Sequence, residues 1–140
     1  MDLTGKTIVY TGFTLDTKGK SWYLTQDAKV IVGATYKLEC PEGMETDGAS
    51  IPRFFWRLMG PKMDPPYHKA AIIHDAGYLN VLRWSYSEDQ VWIEEWHTRK
   101  ETDELFRELL KNLGMSRWRR NLMYLAVRWF GGGHWTEREN

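Results

Sequence analysis

Cysteine is almost absent from this 140-residue chain. Cys40 stands alone, which excludes an intrachain disulfide and any cysteine-rich zinc site. Net charge is missing as well: 19 Lys and Arg balance 19 Asp and Glu. That excludes a globally basic nucleic-acid binder and an acidic tail protein, and nucleic acid is not expected as a partner. Long apolar runs are lacking too. Stretches such as Ala70-Ala71-Ile72-Ile73 fall far short of the ~20 residues that span a bilayer. The start, Met1-Asp2-Leu3-Thr4-Gly5-Lys6, does not have the charged-then-apolar order of a signal peptide. A soluble product folding as one domain over residues 1–140 is expected. Aromatics, by contrast, are plentiful at 14%, with 8 Trp and 7 Tyr. So many tryptophans imply a Trp-heavy core, an exposed aromatic surface for a partner or membrane, or both.

Residues 1–45 read as mainly β and 50–131 as mainly α. Thr7–Thr11, Ser21–Thr25, Lys29–Val32 and Thr35–Leu38 are rich in β-branched and aromatic residues. Turn signals separate them at Asp16-Thr17-Lys18-Gly19, Gln26-Asp27 and Gly33. Beyond Pro65-Pro66 a helix is expected from about Tyr67 to Leu82. Ser87-Glu88-Asp89-Gln90 has capping-box spacing and predicts a helix carrying Trp92 and Trp96. Leu105, Phe106, Leu109, Leu110 and Leu113 mark another, stopped by Gly114. A last helix, capped by Ser116, carries Trp118, Leu122, Leu125, Ala126 and Trp129 on one stripe before Gly131-Gly132-Gly133. Burial of Trp118 and Trp129 is expected from that stripe. The fold class is α+β: a small N-terminal antiparallel sheet followed by a C-terminal bundle of three to four helices.

Charge is segregated within the helical half. Residues 88–108 hold eight acids and three bases, whereas 111–128 hold Lys111, Arg117, Arg119, Arg120 and Arg128 and no acid. Two solvated faces that attract each other explain this; so does phosphate binding by Arg117, Arg119 and Arg120.

Chemistry concentrates in Ala70-Ala71-Ile72-Ile73-His74-Asp75-Ala76-Gly77-Tyr78. On a helix His74 and Tyr78 are i and i+4 and share a face with Ala70, Ile73 and Gly77, while Asp75 is turned about 100° away. A semi-buried imidazole needs a partner for its second nitrogen. Asp103, three and seven residues before Phe106 and Leu110, borders an apolar stripe where an acid is costly unless paired. Antiparallel packing of the two helices would join His74 to Asp103, with Tyr78 donating to the same carboxylate and His74 placed as general base for water. A satisfied core histidine with an aspartate partner is the competing reading. His68, six residues earlier, lacks i,i+4 ligand spacing and is expected to be exposed; His97 and His134 read as surface residues.

His-Asp-x-x-Tyr followed by Asp-x-x-Phe on a leucine-bearing helix resembles the secreted-type phospholipases A2, and more closely the disulfide-free phospholipase domain of parvovirus capsids. That resemblance, covering roughly residues 60–113, implies a lipid ester substrate. It makes His74 the base, Asp103 its orienting partner, Tyr78 a supporting donor and Asp75 a Ca²⁺ carboxylate. A phospholipid or membrane surface is the implied partner. The family's glycine-rich calcium loop corresponds here to Met59–Pro66, with a single glycine.

A second resemblance runs through most of the chain. Thr46-Asp47-Gly48-Ala49-Ser50-Ile51-Pro52-Arg53, Trp56, Ala70-Ala71-x-x-His74-Asp75-x-x-Tyr78, Asp103-x-x-Phe106 and Met123-Tyr124-x-Ala126-Val127-Arg128-x-Phe130-Gly131 are similar to a domain-of-unknown-function family of tailed phages and prophages. It implies a phage origin, placement in the host cytoplasm or virion, and phage structural proteins as partners. The Asp47–Arg53 block suits a turn, N-cap and first helical turn; alternatively Asp47, Ser50, Arg53 and Trp56 line a ligand or substrate site. Two classes therefore stand: a hydrolase, or a non-enzymatic virion, tail or host-takeover protein with a buried polar network. A cleft from solvent to His74, with Asp103 within ~3.2 Å of the ring, favours catalysis; a sealed pair favours the network. Trp84, Tyr86, Trp92 and Trp96 either flank an active-site mouth or pack a crossover.

Overall fold

The computed structural model describes residues 3–46 and 67–136. Asp47, Ser50, Arg53 and Trp56 lie outside the described residues, so the site proposed for that block has no structural account here. The first half folds as strands: β1 (Ile8–Thr11), β2 (Leu15–Lys18), β3 (Ser21–Leu24), β4 (Ala28–Val32), β5 (Tyr36–Cys40) and the short β6 (Glu45–Thr46). In β4 the period of two is direct, with Ala28, Val30 and Val32 buried and Lys29 outside. Asp16-Thr17-Lys18, expected as a turn, belongs to β2, and the chain reverses one residue later at Gly19, whose φ of 63° suits glycine.

The second half returns to the sheet, contrary to the helix expected from Ser87. β7 (Arg83–Glu88) and β8 (Val91–Glu95) form a hairpin in which Trp84 faces Glu95 and Glu88 faces Val91. Asp89 and Gln90 both take positive φ, 50° and 65°, as a tight two-residue hairpin turn requires. Turn chemistry and the β-forming run Val91-Trp92-Ile93 outweigh the capping-box spacing. The resulting five-stranded antiparallel sheet has the order β1-β4-β5-β7-β8, beside a three-stranded sheet β2-β3-β6.

Three described helices complete the α+β architecture. α1 (His68–Tyr78) is buried at ten of its eleven residues, the pattern of a helix enclosed on all sides. It stops before the expected Leu82 because Asn80 adopts φ 61° and the peptide N–H groups of Val81 and Leu82 fold back onto Ala76; Asn tolerates that left-handed conformation. α2 (Arg99–Asn112) begins with a true capping box, Thr98 and Glu101 each accepting from the other's backbone N–H. α3 (Arg117–Phe130) has Ser116 at its N-cap position without a side-chain cap bond. α1 packs on α2 and touches β5, and α2 packs on α3. The core gathers Val30, Val32 and Leu38 from the sheet with Ile72, Ile73, Phe106, Leu109 and Met123 from the helices.

Trp118 and Trp129 are not in that core. They are 62% and 70% exposed, and the face that meets α2 is the smaller-residue set Met123, Ala126 and Val127. Apolar residues occupy most of the α3 circumference, so periodicity alone did not distinguish the packed face from the outer one. No described helix is long and apolar enough to cross a membrane.

Candidate functional site

α1 and α2 meet where both carry small residues. The position of a Cβ on Gly77 would fall 2.5 Å from Thr102 Cγ2, so the absent side chain lets the helices close. That approach brings His74 Nε2 to 2.7 Å from Asp103 Oδ1. Tyr78, one turn further along α1, donates its hydroxyl to the same oxygen at 2.7 Å. The three residues grouped from spacing alone are thus joined. The imidazole also packs between the Tyr78 and Phe106 rings, with centroids at 4.3 and 4.6 Å.

Two arginines complete the cluster, and sequence reasoning had assigned neither to it. Arg128 of α3 donates to Asp103 Oδ2 at 2.8 Å. Arg99, in the first turn of α2, donates Nε to the Tyr78 hydroxyl at 3.1 Å and Nη2 to the carbonyls of Val127 and Arg128 at 2.7 Å each. A guanidinium there satisfies carbonyls at the end of α3 and matches the negative end of the helix dipole. The charge segregation noted above was the available signal: an acid on α2 and a base on α3 are partners.

Burial raises the cost of a charge on Asp103, but hydrogen bonds from His74, Tyr78 and Arg128 outweigh it and hold its carboxyl below the usual range. An ionised carboxylate only accepts, so His74 donates through Nε2–H. Burial first, and then the bond to Asp103, raise the Tyr78 hydroxyl well above its ordinary value. The stability consequence has a definite sign. A carboxyl whose folded pKa is depressed stabilises the fold above its unfolded pKa, and this is lost as pH falls through the folded value. Urea midpoints measured across acid pH are expected to decline below about pH 4, with a shallower decline in Asp103→Asn.

The His74–Asp103 pair at the centre of the cluster is sealed. The His74 and Asp103 side chains each have 0% exposure. Asp75, implied as a calcium ligand, is buried and accepts a hydrogen bond from the Thr46 hydroxyl at the end of β6. Burial, and then the Asp75 charge, push the Cys40 thiol up to about 12, so this thiol is inert at neutral pH. Calcium takes six to eight oxygen ligands. Among the described residues no group of three or more His, Cys, Asp or Glu side chains is placed to hold a metal ion, and the Met59–Pro66 segment that the resemblance pairs with Asp75 lies outside the described residues.

The remaining histidines depart from expectation in two cases. His68 is buried. His97 is only 11% exposed at its side chain, stacked on Trp84 at 3.4 Å between ring centroids and lying 2.9 Å from Glu95 and 3.2 Å from Glu101. Sequence-local polarity did not reveal this because Trp84 reaches His97 across the β7–β8 hairpin. His134 is exposed as expected. Trp84 itself is buried, whereas Trp92 and Trp96 are 41% and 78% exposed.

With this geometry in hand, comparison with known proteins adds a family but no activity. The chain is 31% identical over 100 residues to an uncharacterised protein, y4jT, of Sinorhizobium fredii (strain NBRC 101917 / NGR234). The aligned part is 71% of this chain but 25% of the relative, so the chain spans about a quarter of that protein's length. No solved structure matches the chain. A family match over residues 22–127 runs from within β3 to within α3, takes in His74, Tyr78 and Asp103 and ends one residue before Arg128, and the chain belongs to that family, described as a protein of unknown function (DUF1353).

Proposed function

We propose that this chain works by binding rather than by catalysis, with the His74–Asp103–Tyr78 set serving as a polar brace for the helical unit. The carrying observation is the 0% exposure of both the His74 and Asp103 side chains. A general base must lie within hydrogen-bond reach of the water or hydroxyl it deprotonates. Asp103 instead spends its acceptors internally, on His74 and Tyr78 of α1 and on Arg128 of α3. Such a set joins three helices at one carboxylate, which suits a network that specifies one packing. A non-enzymatic virion, tail or host-takeover component is the setting this reading favours.

One observation favours a second reading, a phospholipase A2-like hydrolase. The 2.7 Å bonds from His74 and Tyr78 to one carboxylate oxygen are the arrangement that would orient an imidazole as a general base. A single assay separates the two. Purified protein is incubated with phospholipid vesicles, with and without added Ca²⁺, and free fatty acid is measured. No release above the protein-free blank is expected. Release that disappears in a folded His74→Asn variant would replace binding with catalysis.

A further inference from the structure

The outer face of α3 carries Trp118, Leu122, Leu125 and Trp129, at 62%, 39%, 37% and 70% exposure. Their spacing of four, three and four residues keeps them within one narrow stripe. Eleven residues of helical rise give it a length of about 16 Å. Phe130, 51% exposed, extends the apolar surface at the C-terminal end. Burying this face would contribute to folding, yet the residues of α3 that are buried are Met123, Ala126 and Val127, outside the stripe. A monomer rarely leaves so continuous an apolar stripe open without a partner.

Charge identifies the partner. From Lys111 to Thr136 the chain has no acid, while Lys111, Arg117, Arg119, Arg120 and Arg128 are basic. Asp103 neutralises Arg128, and α3 itself holds no acid to offset its other arginines. On the helical wheel Arg117 and Arg119 lie roughly 100° to either side of the stripe, with Arg117 exposed and the half-buried Arg119 guanidinium 5.5 Å over the Tyr67 ring. When the apolar face sinks into an interface, they come level with its rim. Exposed Trp at both ends of an apolar stripe, with basic side chains along its margins, is the composition of a helix lying in the plane of an anionic bilayer surface.

We propose that α3 is the docking face of this protein, and that its occupant is an anionic phospholipid surface. The inference rests on the binding reading above and names its partner. Long arginine stems would cover the flanks while their guanidinium groups reach lipid phosphates. A second copy of the chain fits less well. The stripe is only about one helix wide, roughly 10 Å, giving a footprint far below the ~800 Å² that each partner of a stable complex buries. Self-pairing would also oppose basic flanks without an acid between them.

The test uses full-length protein and vesicles of phosphatidylcholine with or without phosphatidylglycerol, read by co-sedimentation. Binding to the anionic vesicles is expected to be at least about tenfold tighter than to phosphatidylcholine alone, and to weaken as salt rises. Trp118→Ser/Trp129→Ser is expected to lose about tenfold or more in affinity with unchanged circular dichroism and melting, because both side chains are exposed. Arg117→Glu/Arg119→Glu is expected to remove the preference for phosphatidylglycerol. The proposal is overturned by absence of wild-type binding, by equal binding of the tryptophan variant, or by indifference to headgroup charge. A dimer in sedimentation velocity that dissociates in the tryptophan variant would instead assign the face to self-association. Fatty acid release is scored on the same samples, so a failure of the binding reading is seen separately from a failure of docking.

Discussion

Asp103→Ala is expected to lower folding stability by about 3–5 kcal/mol, because it removes one partner of a buried charge cluster and leaves the others in place. His74 Nε2–H and the Tyr78 hydroxyl would lose their shared acceptor, and Arg128 its counter-charge. No water reaches the site to replace them, since the Asp103 side chain is fully buried. Asp103→Asn is a gentler test. Its carbonyl can still accept from His74 and Tyr78, but its amide presents N–H groups to Arg128, so an intermediate loss is expected. Arg128→Met should cost least, as that side chain keeps 27% exposure and its apolar replacement still packs. Urea unfolding of the four proteins checks the order. A loss below about 1 kcal/mol for Asp103→Ala would mean the carboxylate is not bracing the helices.

The same residues show what can be read from sequence and what cannot. His74, Tyr78 and Asp103 were legible because an i,i+4 pair and an acid on an apolar stripe each demand a partner, and the two demands are complementary. Arg99 and Arg128 were not, since their roles depend on where the end of α3 lies relative to the start of α2. The strands of the first half followed from β-branched and aromatic runs, and α2 and α3 from helical periodicity. The β7–β8 hairpin did not, because capping-box spacing and a positive-φ turn at Asp89-Gln90 compete over the same residues and only strand pairing with β5 decides between them. The two outward tryptophans of α3 were misplaced for a related reason. A helix apolar on two faces has no periodic signal for which face the rest of the chain will cover.

How closely α1 and α2 approach is limited at Gly77, where a Cβ would meet Thr102. Gly77→Ala is expected to destabilise the protein by about 1–2 kcal/mol. Two effects oppose each other. Ala is favoured over Gly inside a helix by about 1 kcal/mol, but its methyl would meet Thr102 Cγ2 at 2.5 Å, and overpacking of this kind costs about 1–3 kcal/mol or more. Sterics should win because Thr102 cannot easily turn aside. It is buried, and its hydroxyl donates to the Thr98 carbonyl at 3.0 Å. The helices would have to separate, stretching the His74–Asp103 and Tyr78–Asp103 bonds together. Thr102→Ser removes the offending methyl while keeping the hydroxyl. The double variant Gly77→Ala/Thr102→Ser should therefore recover most of the loss, with a coupling of about 1 kcal/mol or more in a double-mutant cycle. If the two changes merely add, the close approach at Gly77 is not what sets the distance between His74 and its carboxylate.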